Sequence, residues 1–299
     1  MERTLIVITG PTAVGKTALT IELARHFGIP VINADSRQVY RELRIGTASP
    51  TPEQLAQAKH YFVGHKSIHD YYNAFLYEQD VLTLLDTLFA NSPVQLLSGG
   101  SMMYIDAVCN GIDDIPTIRD DVRSDLKRRY QEEGLDALCA DLLRLDPEHY
   151  AVVDRKNHRR VIHALEVCYQ TGRTYTSFRT QVRKARPFRV MKIGLNRDRT
   201  ELYDRINRRV DQMMADGLTD EAQTLYPLRQ LNALNTVGYK ELFDYMDGRW
   251  PLAEAVERMK GNTRRYARKQ LTWFRRDAEV RWFHPDNKED ILNYIKHYE

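Results

Sequence analysis

Short apolar runs and helical apolar stripes alternate along much of this chain. Leu5-Ile6-Val7-Ile8-Thr9 is a run of the length of a buried strand. Pro30-Val31-Ile32-Asn33-Ala34 and Pro93-Val94-Gln95-Leu96-Leu97 are two more. Between them, Ala18 to Ala24 carries apolar residues at helical spacing, and residues 76–90 form an amphipathic stripe of Leu76, Val81, Leu84, Leu85 and Leu88. Residues 41–75 are loop-rich, with a short helix expected from Glu53. Met102-Met103-Tyr104-Ile105 begins another helix. Strands alternating with helices predict an α/β domain with a doubly wound parallel sheet.

The pattern changes near Gly111-Ile112-Asp113-Asp114-Ile115-Pro116. Residues 119–145 are charged and helical, with a thin stripe of Val122, Leu126, Leu135, Leu138 and Leu142 and a break at Gly134. Residues 158–171 read as a further helix, and residues 172–188 as polar, basic and partly loop. Arg189 to Leu195 then reads as a strand returning to the first domain. The predicted division is a core of residues 1–112 and 189–299, with a helical insertion at 113–188.

Composition constrains the class without naming it. The chain has 299 residues and a net charge of only +3. Cys109, Cys139 and Cys168 suit neither a disulfide framework nor a zinc cluster. Reduced thiols in a cytoplasmic protein are expected. Met1-Glu2-Arg3 runs directly into the first strand, so no signal peptide is expected, and no apolar run approaches the roughly 20 residues of a membrane span.

Gly10-Pro11-Thr12-Ala13-Val14-Gly15-Lys16-Thr17 carries the strongest chemical signal. A G-x-x-x-x-G-K-T run between a strand and a helix is a P-loop. Its glycines let backbone N–H groups face a phosphate, and the helix N-terminus adds positive dipole. Lys16 adds a point charge, and the Thr17 hydroxyl is a candidate Mg²⁺ ligand. Asp35 ends the second run. It is either a site residue at the carboxyl edge of the sheet or an N-cap for a following helix. The third run ends at Ser98, where ATP-hydrolysing P-loop proteins usually place a Mg²⁺-binding carboxylate. Gly99 and Gly100 suit close approach to a ligand, and Ser101 is an N-cap or a ligand contact. Arg205, Arg208 and Arg209 share one side of a helix and face either a phosphate or solvent.

Charge is concentrated in two places. From Arg155 to Arg189 there are ten Lys/Arg against the single acid Glu166. Tyr169, Tyr175, Phe178 and Phe188 are interleaved. From Arg258 to Arg281 there are nine Lys/Arg against Asp277 and Glu279, with Tyr266, Trp273 and Phe274 among them. Two basic, aromatic-laced helical surfaces predict a polyanionic partner such as nucleic acid.

These motifs together resemble the tRNA dimethylallyltransferases, also called tRNA isopentenyltransferases. The likeness rests on the P-loop, Asp35-Ser36-Arg37-Gln38-Val39-Tyr40, Gly46-Thr47-Ala48 with Pro50-Thr51, and Gly99-Gly100-Ser101 with Tyr104. It continues through Arg160 with Ala164-Leu165-Glu166-Val167, Gly238-Tyr239-Lys240-Glu241, and Thr263 to Arg275. The resemblance implies transfer of a dimethylallyl group from dimethylallyl pyrophosphate to N6 of adenosine 37, beside the tRNA anticodon. Under it the P-loop, Gly10 to Thr17, holds pyrophosphate with Mg²⁺ as cofactor, and Asp35 is the general base. Asp35, Ser36, Arg37 and Gln38 grip the target adenine. Ser101, Arg123 and the stretch Arg159, Arg160, Val161, Ile162 and His163 contact the anticodon stem-loop, and Arg209 clamps pyrophosphate. A monomer is expected, with no membrane partner. The family usually has Thr where Ser101 stands and Arg where His163 stands. Its His-His-Leu-Ile-Asp-like stretch reads here as Lys59-His60-Tyr61-Phe62-Val63-Gly64, without the acid. Nothing after Arg281 has the Cys and His of the eukaryotic zinc finger, as in bacterial members. The competing readings are a P-loop kinase or isopentenyltransferase acting on free adenine nucleotides, and an RNA-binding P-loop protein without chemistry.

Overall fold

The computed structural model describes residues 2–180 and 183–297. They divide into two compact units, one of residues 1–110 with 185–299 and one of residues 111–184. The first unit opens with β1 (Thr4–Thr9), α1 (Lys16–Phe27), β2 (Val31–Asn33), α2 (Pro52–Gln57), β3 (His60–Tyr61), α3 (Ala74–Leu88), β4 (Val94–Ser98) and α4 (Met102–Asn110). The second unit holds α5 (Asp120–Leu145), α6 (Pro147–Val152) and α7 (His158–Thr171). The chain then returns to the first unit as β5 (Arg189–Leu195), α8 (Arg199–Ala215), α9 (Leu218–Leu225), α10 (Tyr239–Met246), α11 (Leu252–Phe274), β6 (Arg281–Phe283) and α12 (Lys288–Lys296).

Among the described residues the sheet has six strands, all parallel, in the order β3-β2-β4-β1-β5-β6. Side chains of β1 alternate between two cores because successive strand residues face opposite ways. Leu5 and Val7 join one core with Val81, Ile105, Leu242 and Phe274. Ile6 and Ile8 join the other with Leu19, Leu23, Ile206 and Ile291. Helices therefore cover both faces, as the apolar runs predict. β1 lies between β4 and β5, so the loop leaving it opens where the strand order reverses, the usual place for a ligand in an open α/β sheet.

Two strands went unseen in the sequence. β3 has only two residues, and β6 has three, of which the first is an exposed arginine. Neither is long enough to show a period. The second unit also differs from its predicted bounds. It ends at Lys184 rather than at residue 188, because Arg186 and Phe188 are tied to the first unit. Arg186 pairs with buried Glu78 at 2.6 Å and donates to the Ala107 and Val108 carbonyls, while Phe188 packs against Phe89. Both drop out of the expected polyanion surface. Gly134 breaks α5 as predicted, with φ 83° inside an otherwise helical run. No described helix is long and apolar enough to cross a membrane.

Candidate active site

The loop between β1 and α1 has the alternating handedness of an anion-binding nest. Gly10, Ala13 and Gly15 all have positive φ, at 143°, 64° and 116°. Ala13 is not glycine, so this conformation costs about 1 kcal/mol and is retained only because its surroundings impose it. Gly15 is the N-cap of α1 and supplies no side chain, which leaves the first N–H groups of the helix for a ligand. Other segments hold the loop from outside. Thr12 N–H donates to Gln270 Oε1 at 2.8 Å, Arg205 Nε donates to the Ala13 carbonyl at 2.8 Å, and Arg197 Nε donates to the Val14 carbonyl at 2.8 Å.

A cleft of about 520 Å³ opens above this loop, lined by Lys16, Thr17, Asp35, Gln38, Arg205 and Arg209 among others. A second, of about 360 Å³, shares Thr12, Asp35, Arg209 and Tyr266 with it and continues past Thr47, Val210 and Met259. The structure thus gathers the P-loop, Asp35 and Arg209 around one space. Arg205, Arg208 and Arg209 all line this cleft, Arg208 remaining exposed. Lys16 Nζ donates to the Gly10 and Pro11 carbonyls at 2.9 and 2.8 Å. Burial, with Arg209 nearby, pulls its amine down to about 7, against a smaller opposing pull from Asp35. Burial likewise lowers Arg209, again opposed by Asp35.

Asp35 and Ser36 do not open a helix. Asp35 Oδ1 accepts from Arg37 N–H at 2.9 Å and Gln38 N–H at 3.3 Å, which makes a side-chain-capped turn. That settles the N-cap alternative in part: the cap is there, without the helix. Ser101, buried, accepts from Ser36 N–H at 2.8 Å and donates to Ser36 Oγ at 2.9 Å, so its hydroxyl holds the Asp35 turn. Gln38 Nε2 donates to the Thr47 and Ala48 carbonyls, and the Arg37 guanidinium donates to the Asn232 and Ala233 carbonyls. Gly99 approaches protein, while Gly100 lines the cleft and also abuts Gln270. A Cβ on Gly99 would lie 2.0 Å from the Ala34 carbonyl oxygen, and one on Gly100 would lie 2.5 Å from Gln270 Nε2. Ser98 is buried, its hydroxyl 2.8 Å from Thr20 Oγ1.

A family described as IPP transferase matches residues 38–277. The chain belongs to that family. It is 60% identical over 295 residues to tRNA dimethylallyltransferase 1 of Phocaeicola vulgatus, covering 99% of this chain and 98% of that one. It is 60% identical over 294 residues to the protein of the same name in Bacteroides fragilis, covering 98% of each. The fold is similar to the solved structure of the full-length tRNA isopentenylpyrophosphate transferase of Bacillus halodurans, with TM-score 0.72, 37% identity and coverage of 99% and 96%. It is also similar to the corresponding transferase of Staphylococcus epidermidis, with TM-score 0.71, 29% identity and full coverage of both chains.

The remaining predicted site residues of this transferase lie in its second unit. Arg159 and Arg160 are exposed in the first turn of α7, where cations oppose the helix dipole, and neither has a carboxylate partner among the described residues. Val161 is fully buried in that unit's core with Leu126, Leu138 and Leu142, so it offers no side-chain surface. Ile162 packs against the same core. Arg123 Nε and His163 Nδ1 lie 3.4 and 3.3 Å from the two oxygens of buried Glu166. The one acid of the basic stretch is therefore held by Arg123 and His163, which leaves Arg159 and Arg160 without a carboxylate partner among the described residues.

The second basic stretch is less open than its charge implies. Asp277 and Glu279 pair with Lys192, buried on β5, at 2.6 and 2.9 Å. Phe274 is in the core, Trp273 Nε1 donates to Asp106, and Tyr266 lines the cleft. Lys260 pairs with Asp211, Arg258 with Glu254, and Arg264 Nη1 donates to Asn207. The face of α11 that carries Ala267 and Gln270 is buried in the transferase core. Two functional supports were missed by sequence reasoning. Gln270 ties Thr12 to the Gly100 carbonyl, and Glu221 accepts from the N–H groups of Arg44, Ile45 and Gly46 and from Tyr239 Oη. A glutamine within a basic run and a glutamate on a short helix carry no local signal of burial.

Proposed function

We propose that this transferase moves a dimethylallyl group from dimethylallyl pyrophosphate to N6 of adenosine 37 beside the tRNA anticodon, releasing pyrophosphate. The observation that carries the reading is one cleft lined by a phosphate loop, three arginines and a strand-end carboxylate. As the allylic C–O bond breaks, negative charge grows on the leaving pyrophosphate. The uncapped amides of α1, Lys16 and Arg209 are fixed in advance to receive it. The amine of adenine forms the new C–N bond and loses a proton, which Asp35 accepts. The names of the relatives support the substrate class, as do the unpaired Arg159 and Arg160 on the second unit.

Mg²⁺ fits the donors present. The Thr17 hydroxyl is exposed at the cleft and makes no hydrogen bond among the described residues, which contain no cluster of three or more His, Cys, Asp or Glu suited to a metal. Mg²⁺ is commonly held by few protein ligands together with substrate phosphates. Thr17 would hold it, and bound there it would neutralise charge on the pyrophosphate. The enzyme is expected to act in the cytoplasm as a monomer.

The deciding assay is incubation with dimethylallyl pyrophosphate, Mg²⁺ and unmodified tRNA, followed by nucleoside mass analysis. Prenylated adenosine at position 37 is the expected product. Modification of free AMP alone, or consumption of ATP instead, would reject the reading.

A pH dependence follows from Lys16. Below pH 7 its amine is already charged when the donor arrives. Above about 7 a proton must be taken up on binding, so the KM for the donor should rise by up to about tenfold per pH unit. Measured between pH 6.5 and 8.5, the KM for tRNA should change far less. A donor KM flat across that range would show that Lys16 is charged throughout.

A further inference from the structure

Arg197 and Arg205 both hold a carbonyl of the phosphate loop, but they differ in what else they touch. Arg197 is a static peg. Its side chain is almost buried, and its terminal nitrogens pair with Glu201 and Asp286, each at 2.6 Å. Arg205 lines the open cleft, and its Nε to the Ala13 carbonyl is its one hydrogen bond among the described residues. No carboxylate lies within ion-pair distance of it there. It shares the cleft with Lys16, Arg208 and Arg209, and although Asp286 lies near enough to feel its charge, its terminal nitrogens have no ion-pair partner among the described residues in a space already rich in positive charge. Its contact is also at the one loop residue that holds a left-handed conformation without being glycine.

We propose that Arg205 is a binding and positioning residue for pyrophosphate: Nε fixes the Ala13 peptide while the terminal amino groups take up charge of the anion. A guanidinium can do both at once because its donors are spread over a rigid plane, whereas a lysine has one head. Binding of the anion and the shape of the loop are thereby coupled through a single side chain. The inference rests on the reading above that this loop holds pyrophosphate.

The test is calorimetric titration of inorganic pyrophosphate with Mg²⁺ into the full-length protein and into Arg205→Lys and Arg205→Gln. Arg205→Lys should weaken pyrophosphate about tenfold and Arg205→Gln about a hundredfold. Melting temperature and tRNA affinity should stay close to wild type. The KM for the donor should rise with each Kd. If wild type binds pyrophosphate and Arg205→Lys binds it equally well, Arg205 only supports the fold and the proposal falls alone. If wild type itself binds none, the reading of the loop falls with it. Should Arg205→Gln fail to fold, Arg205→Lys still decides, because a purely structural role lowers its melting temperature without changing the Kd of the folded protein.

Discussion

Asp35→Asn is expected to lower kcat for prenyl transfer by about 10²- to 10⁴-fold, the usual contribution of a positioned general base. The variant is chosen because Asp35 does two things. Its Oδ1 accepts from the N–H groups of Arg37 and Gln38 and so shapes the turn. An asparagine oxygen accepts those bonds equally well but cannot take a proton from the attacking amine. The turn should survive, and melting temperature and tRNA affinity should stay near wild type. Asp35→Ala should lose both roles and melt lower as well, by an amount set by a lost cap of about 1 kcal/mol. Single-turnover rates with saturating tRNA and donor separate the two variants. An Asp35→Asn protein that keeps more than a tenth of the wild-type rate would mean that the proton leaves by another route.

Gly99→Ala should destabilise the first unit by about 3 kcal/mol, near the upper end for forcing atoms into a packed site. The added carbon would stand 2.0 Å from the Ala34 carbonyl oxygen and 2.3 Å from its carbon. Both are backbone atoms, so no side chain can swing away. Gly99 N–H donates to the Ile8 carbonyl, and Ser101 N–H donates to that same Ala34 oxygen. Relieving the clash therefore pulls β1, β2 and β4 apart at their carboxyl ends, next to Asp35. At 2–4 °C per kcal/mol for a unit of this size, the melting temperature should fall by about 6–12 °C. Activity should fall further than stability alone explains. Gly261→Ala is the control. It lies in α11, the nearest atom to its added carbon is 3.8 Å away, and alanine is the better helix former. A Gly99→Ala protein that melts with wild type would show that the β2–β4 ends are not locked together.

The two glycines at 99 and 100 illustrate how far local pattern reaches. Their type signals a close approach, and a close approach is there. What approaches them is the Ala34 carbonyl on one side and Gln270 on the other, both distant in sequence. The charge of the Arg258–Arg281 stretch misleads for the same reason. Helical spacing shows which residues share a face, but only packing shows that the two acids serve a buried lysine on β5 and that one aromatic enters the core.

The sequence by itself determined the alternation of strands and helices, the phosphate loop and its context, the break at Gly134 and the return of the chain at Arg189. Each is written in periodicity or in residue types that a local backbone shape requires. The strand order, the pegging of the loop by Gln270, Arg197 and Arg205, and the meeting of Asp35 with Arg209 were decided by tertiary structure alone. Those contacts join segments up to 258 positions apart. Their partners are chosen by which helix covers which face of the sheet, and no window of neighbouring residues records that choice.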